Sequence, residues 1–173
     1  MTNEWFVQPG YESVRDAFVA GMGSFGRGGG GHCAYVGGQK VVELWGGSAR
    51  PGSSWQSDTP AVLMSATKGF ASICIQVLVD RGAIDVAFAE LPSNLITKQL
   101  AKTPQLRTIG QIGNVSMLGL GQRFGPNPNA YGAEGLGGQF GFCDPEANIA
   151  VGYVRSELAF LDVLQPTLTN ELY

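Results

Sequence analysis

A serine hydroxyl and a lysine amine stand three residues apart in Ser65-Ala66-Thr67-Lys68. Residues at this spacing on a helix share one face, so a helix here brings the amine within reach of the hydroxyl. A desolvated lysine amine can take the hydroxyl proton and turn a weak nucleophile into an effective one. A helix that starts at the serine also aims its first backbone N–H groups at the reacting centre. The alternative for the same four residues is a polar cluster that caps a helix, with Lys68 in solvent.

Other candidate chemistry is sparse. His32 is the only histidine; a Ser-His-Asp triad would need it near Ser65, yet it stands at the start of the first strand of the hairpin, so a structural or exposed role is expected. Cys33, Cys74 and Cys143 are odd in number and form no CxxC pair. With no basic leader or long apolar run in the first residues, they are expected to be free thiols in a cytoplasmic setting. One histidine and scattered cysteines predict no metal site, and no cofactor is expected. No GxSxG elbow is present, which argues against an alpha/beta-hydrolase. Gly26 to Gly31 formally satisfies GxGxxG, but it leads into a strand rather than a helix, so a flexible loop is expected instead of a dinucleotide site.

The surrounding segments must position the serine and lysine. Tyr11 to Met22 reads as an amphipathic helix with Val14, Phe18 and Val19 on one side. Cys33 to Val36 and Lys40 to Trp45 read as strands joined by Gly37-Gly38. Gly46 to Ser57 reads as a polar loop. In the helix that follows, Ile73, Val77 and Leu78 recur at helical spacing, and Arg81-Gly82 marks its end. Asn94 to Lys102 suggests a short helix. Val115 to Phe124, Gln139 to Cys143 and Asn148 to Val154 suggest three more strands. Glu157 to Leu164 suggests a last helix, ended or kinked by Pro166. This order predicts an α+β, three-layer sandwich, with an antiparallel five-stranded sheet and helices on both faces.

Composition fits one domain over 1–173 with a real core. Charged residues make up 14% of the chain, below the roughly 25% usual in soluble domains. Either the surface is rich in glycine and amides, or normally covered apolar surface is exposed. The net charge of -3, with basic residues scattered, argues against a nucleic-acid partner. The longest apolar-leaning stretch, Phe70 to Val79, is too short for a membrane span.

The order of the hairpin Gly31 to Gly47, then Trp55, Asp58-Thr59, Met64 to Gly69 and Asp80 to Asp85 resembles the serine beta-lactamase-like esterases. These are relatives of class C beta-lactamases and D-alanyl-D-alanine peptidases. Gly135 to Glu146 is similar to the family's glycine-rich lead into a strand, and Ile149 to Val154 to the strand after it. The resemblance covers about 10–86 and 117–173, with 87–116 as a short bridge. Family members are much longer and carry an all-helical subdomain and a Tyr-x-Asn or Tyr-x-Ser motif between these parts. The bridge holds no tyrosine, so the chain reads as an internally shortened member. At the third motif, usually Lys-Thr-Gly or His-x-Gly, it has Ala133-Glu134-Gly135.

The resemblance implies that the first and last helices share one face of the sheet and the Ser65 helix the other. It implies Ser65 as nucleophile, Lys68 as its base, and the backbone N–H groups of Ser65 and Leu136 as oxyanion donors. Gly135, Gly137 and Gly138 would border the substrate; the other reading of these glycines is a mobile turn. Tyr131 is a candidate stand-in for the absent tyrosine. Glu134 would repel carboxylate substrates, or is simply a solvated turn residue. Two functions follow as expectations. One is a serine hydrolase that cleaves small-molecule carboxylic esters through a Ser65 acyl-enzyme. The other is a catalytically impaired or inactive remnant acting as an interaction module, with a homo-oligomer as one outcome.

Overall fold

Gly37 and Gly38, with φ of 58° and 76°, reverse the chain between β2 (Gly29–Val36) and β3 (Gln39–Arg50). Positive φ at both central residues is what a tight hairpin turn of this hand requires. The computed structural model describes residues 4–83, 112–113, 124–157 and 164–173. Its other strands are β1 (Phe6–Val7), β4 (Ser53–Ser54), β5 (Ile112–Gly113), β6 (Tyr131–Glu134), β7 (Phe140–Asp144) and β8 (Ile149–Arg155). The helices are α1 (Glu12–Gly21), α2 (Thr67–Asp80) and α3 (Leu164–Asn170), with 3-10 turns at Met22–Phe25 and Met64–Ala66.

The strands run in the order β1-β3-β2-β8-β7-β6-β5, with β4 on the outer side of β3. Every pairing between them is antiparallel. Five strands have four residues or more, of which β2, β3, β7 and β8 correspond to predicted strands, and three two-residue strands extend the sheet.

One face of the sheet is closed. Along β8, Ile149, Val151, Tyr153 and Arg155 are buried in alternation with Ala150, Gly152 and Val154, the period-two pattern of a strand with unlike faces. The large residues join Val14 and Phe18 of α1, Phe25, Phe142 and Leu168 of α3 in a single core. Phe124, Phe142, Phe140 and Tyr153 stack in succession across it. Phe18 bridges Trp5 and Phe25 edge-on. Helices α1 and α3 touch each other on this face, and α2 packs against β6. The placement of first and last helices together agrees with the expected layout.

Several boundaries differ from the sequence reading. Gly29 to Gly31 belong to β2 rather than to a loop, paired with Gly47, Gly46 and Trp45. A Cβ at Gly29 would lie 2.5 Å from the Gly46 carbonyl oxygen, so the strands approach closely because side chains are absent there. β3 continues to Arg50 and pairs with β4, where a polar loop was expected. Tyr131–Glu134 supplies a strand that the sequence reading did not contain. Val19 is 48% exposed rather than packed with Val14 and Phe18. The last helix begins at Leu164, with Pro166 inside its first turn; there the missing N–H has no helical acceptor to lose. The helix expected over Asn94 to Lys102, and the strand over Val115 to Phe124 apart from Phe124 itself, lie outside the described residues. Among the described residues, no helix is long and apolar enough to cross a membrane.

Candidate active site

Ser65 lies at the centre of the 3-10 turn Met64–Ala66, which runs directly into α2. The predicted helix therefore begins one tight turn earlier, as a 3-10 segment. The Ala66 N–H donates to the Leu63 carbonyl at 3.1 Å, which closes the turn. The N–H of Ser65 is among the first donors of the helical segment, a position without an intrahelical acceptor. Met64, immediately before the serine, has a φ of 50°. A non-glycine residue in this left-handed region costs about 1–2 kcal/mol and tends to mark functional sites.

Lys68 Nζ donates to Ser65 Oγ at 2.9 Å. One helical turn separates the two, as the spacing requires. Both residues are exposed, so water reaches the pair.

The chain returns to this turn from the other end of the sequence. Gly135 follows β6 and abuts the segment Leu63–Ala66. A Cβ at Gly135 would fall on the Leu63 carbonyl oxygen and lie 3.2 Å from Met64 Cβ and 3.3 Å from Ala66 N. Its own N–H donates to the Gln139 carbonyl at 2.7 Å, and the Gly138 N–H donates back to the Gly135 carbonyl at 3.1 Å. Gly137 and Gly138, with φ of 104° and 96°, complete a hydrogen-bonded turn from β6 into β7. Leu136 projects from it and is 61% exposed. The fold thus brings Ser65, Lys68 and the Gly135–Gly138 turn together.

Tyr131 lines the same cleft as Leu63 and Ala66, with no hydrogen bond to Ser65 among the described residues. It opens β6 four residues before Gly135, about 13 Å away along an extended strand. It pairs with Cys143, and burial pushes its phenol above the ordinary value. His32 lies on the opposite face, because Cys33 beside it turns toward α2. It is 2% exposed, and neither ring nitrogen has a hydrogen-bond partner among the described residues. Burial lowers its pKa to about 4. Among the described residues, no group of histidine, cysteine and carboxylate side chains could hold a metal ion.

Between α2 and the sheet lies a cleft of about 450 Å³. Leu63 and Ala66, which flank Ser65, form part of its wall, with Phe70 and Ile73 of α2 opposite the small residues Gly141 and Gly152. Burial pushes the thiols of Cys33 and Cys143, also in its wall, above their ordinary value. The apolar stripe expected on the helix is open: Ile73 is 52% exposed, Val77 41% and Leu78 43%, and Phe70 beside it is 59% exposed. Two features of the site escaped the sequence reading. Met64 carries no signal in its residue type. The cleft had a signal in β8, where the core-facing positions hold large residues and two of the positions on the other face hold Ala150 and Gly152.

Comparison with known proteins gives similarities in sequence and in fold. A beta-lactamase family model matches residues 14–89. An esterase/beta-lactamase, LipL of Mycobacterium tuberculosis (strain ATCC 25618 / H37Rv), is 39% identical over 81 residues, which are 46% of this chain. The matched part spans 19% of the length of LipL. The crystal structure of a family VIII carboxylesterase superposes with a TM-score of 0.68 at 16% identity, over 95% of this chain and 97% of that one. A penicillin-binding protein homologue from Caulobacter crescentus superposes with a TM-score of 0.72 at 13% identity, over 97% and 98%. At such identities the superpositions speak for the fold. Residues 14–89 are thus similar in sequence to the beta-lactamase family, and the fold is that of beta-lactamase/transpeptidase-like proteins, which together support a resemblance to the serine beta-lactamase-like esterases.

Proposed function

We propose that the chain is a serine hydrolase of small-molecule carboxylic esters, working through an acyl-enzyme on Ser65. The 2.9 Å hydrogen bond from Lys68 to Ser65 Oγ carries this reading. In the reaction, Oγ attacks the ester carbonyl while Lys68 Nζ accepts the hydroxyl proton. The tetrahedral intermediate collapses, the C–O bond to the alcohol breaks, and the lysine proton goes to the departing alkoxide. Water then attacks the acyl-serine with Lys68 again as base, releasing the acid and restoring the hydroxyl. The N–H groups of Ser65 and Leu136 are the proposed donors to the oxyanion. Their supports are the open first turn at Ser65 and the packing of Gly135 against it.

Hydrolysis of p-nitrophenyl acetate and butyrate by the native chain and by Ser65→Ala tests the reading. Turnover that disappears in the variant supports it; equal, near-background rates in both overturn it.

A second reading rests on the exposed stripe of Phe70, Ile73, Val77 and Leu78. An open apolar helix face of this kind suits a protein contact, as in a remnant with impaired catalysis. Equal rates in the ester assay, together with self-association that Val77→Glu abolishes, would favour it.

A further inference from the structure

Resting on the hydrolase reading of Ser65, we propose that the cleft between α2 and the sheet is the acyl subsite, and that the substrates are esters of straight-chain acids longer than acetate. The cleft shares its wall with the nucleophile's own turn, through Leu63 and Ala66. Ser65 is itself exposed and is not among the residues of that wall. The scissile carbonyl therefore sits at the rim and the acyl chain runs inward beneath α2. At about 450 Å³, the cleft falls within the roughly 300–1,000 Å³ of small-molecule sites. Its room comes from glycines on the sheet: nothing lies within 4 Å of a Cβ built at Gly152.

The chemistry of the wall selects the occupant. Phe70 and Ile73 present hydrocarbon from the helix, and Ala133 and Val154 from the sheet. The thiols of Cys33 and Cys143 stay protonated at neutral pH, since burial raises both. Such a wall favours methylene groups over charged or strongly hydrogen-bonding ones. Each methylene moved from water into it should tighten binding about fourfold.

The test separates the subsite from the catalysis. Binding of hexanoate, octanoate and decanoate to Ser65→Ala is measured by equilibrium dialysis. Affinity is expected to rise about fourfold per methylene. In the same background Gly152→Leu fills the cleft, and Ile73→Glu places a carboxylate in its wall at an exposed position. Each is expected to weaken decanoate binding at least about tenfold, with circular dichroism confirming the fold. For the Ser65-competent chain, the ratio of p-nitrophenyl octanoate to acetate turnover should fall in both variants. Chain-length-independent binding, or decanoate binding unchanged in both folded variants, would overturn the subsite. So would dimerisation through this face without decanoate uptake, which would give the cleft to a second copy. Absence of Ser65-dependent turnover would overturn the hydrolase reading and the acyl role with it. Turnover without chain-length preference would overturn the acyl role alone.

Discussion

Gly135 and Leu63, 72 positions apart in the chain, meet so closely that a Cβ on the glycine would overlap the leucine carbonyl oxygen. That carbonyl accepts the hydrogen bond that closes the Ser65 turn. The C-terminal part of the sheet thereby supports the turn that carries the nucleophile.

Gly135→Ala should therefore displace the turn rather than fill a void. Overpacking of this kind costs typically about 1–3 kcal/mol. The expected result is a lower melting temperature and at least about a tenfold loss of Ser65-dependent ester hydrolysis, since small misplacements of reacting groups are expensive. Gly152→Ala on β8, where the added Cβ meets nothing within 4 Å, is the control and should keep its melting temperature. Thermal scans and kcat/KM for p-nitrophenyl butyrate measure both effects.

Met64 stores strain beside the nucleophile. Glycine adopts a φ of 50° without penalty, so Met64→Gly should hold or raise the melting temperature by relieving about 1 kcal/mol. Met64→Val, β-branched at the same backbone angle, should lower it. Equal melting temperatures for the two variants would show that the backbone at this position relaxes freely.

His32 makes stability depend on pH. Its pKa is about 4 in the folded chain and about 6.5 in the unfolded one. Above the unfolded value both states are neutral and no penalty exists. As pH falls from 6.5 toward 4, the unfolded chain takes up a proton that the folded one does not, so stability is lost through this window. The total is about 3 kcal/mol. Urea midpoints measured from pH 7 to pH 4.5 should fall for the native chain and fall less for His32→Leu.

Asp144 acts at more acidic pH. Burial alone would raise its carboxyl, but hydrogen bonds from Tyr173, Ala147, Asn127 and Glu146 outweigh that and hold it below the ordinary carboxylate range. The Tyr173 hydroxyl donates at 2.5 Å and Asn127 Nδ2 at 2.7 Å. This lowered value contributes stability above the ordinary carboxylate range, lost as pH falls through the folded pKa. Tyr173→Phe removes one donor from a buried charge and should cost about 1–3 kcal/mol at neutral pH. The difference from the native chain should shrink in acid-unfolding titrations as pH falls below the ordinary carboxylate range.

Much of the local architecture was legible before any coordinates. The Gly37-Gly38 turn, helix α1 within a residue of its ends, strands β7 and β8 within a residue of theirs, and the Ser65–Lys68 spacing all follow from short-range rules. Those rules depend on positive φ at glycine, periods of 3.6 and 2, and side-chain reach across one helical turn. The glycine run at Gly26 to Gly31 misled because flexibility was read where close strand approach was the cause. Residue type alone does not distinguish the two. Pro166 misled because a proline that stops one helix also suits the first turn of the next.

By itself the sequence determined the chemistry on offer, a hydroxyl and an amine held one helical turn apart, since that relation depends only on backbone geometry within four residues. It also determined which strand positions were large and which small. Only the tertiary structure decided that α1 and α3 cover the large face while α2 leaves a cleft over the small one. It likewise decided that His32 is sealed from water and that Gly135 bears on Leu63. Those outcomes depend on contacts between residues far apart in the chain, where packing and desolvation, rather than local propensity, choose among the arrangements that a pattern allows.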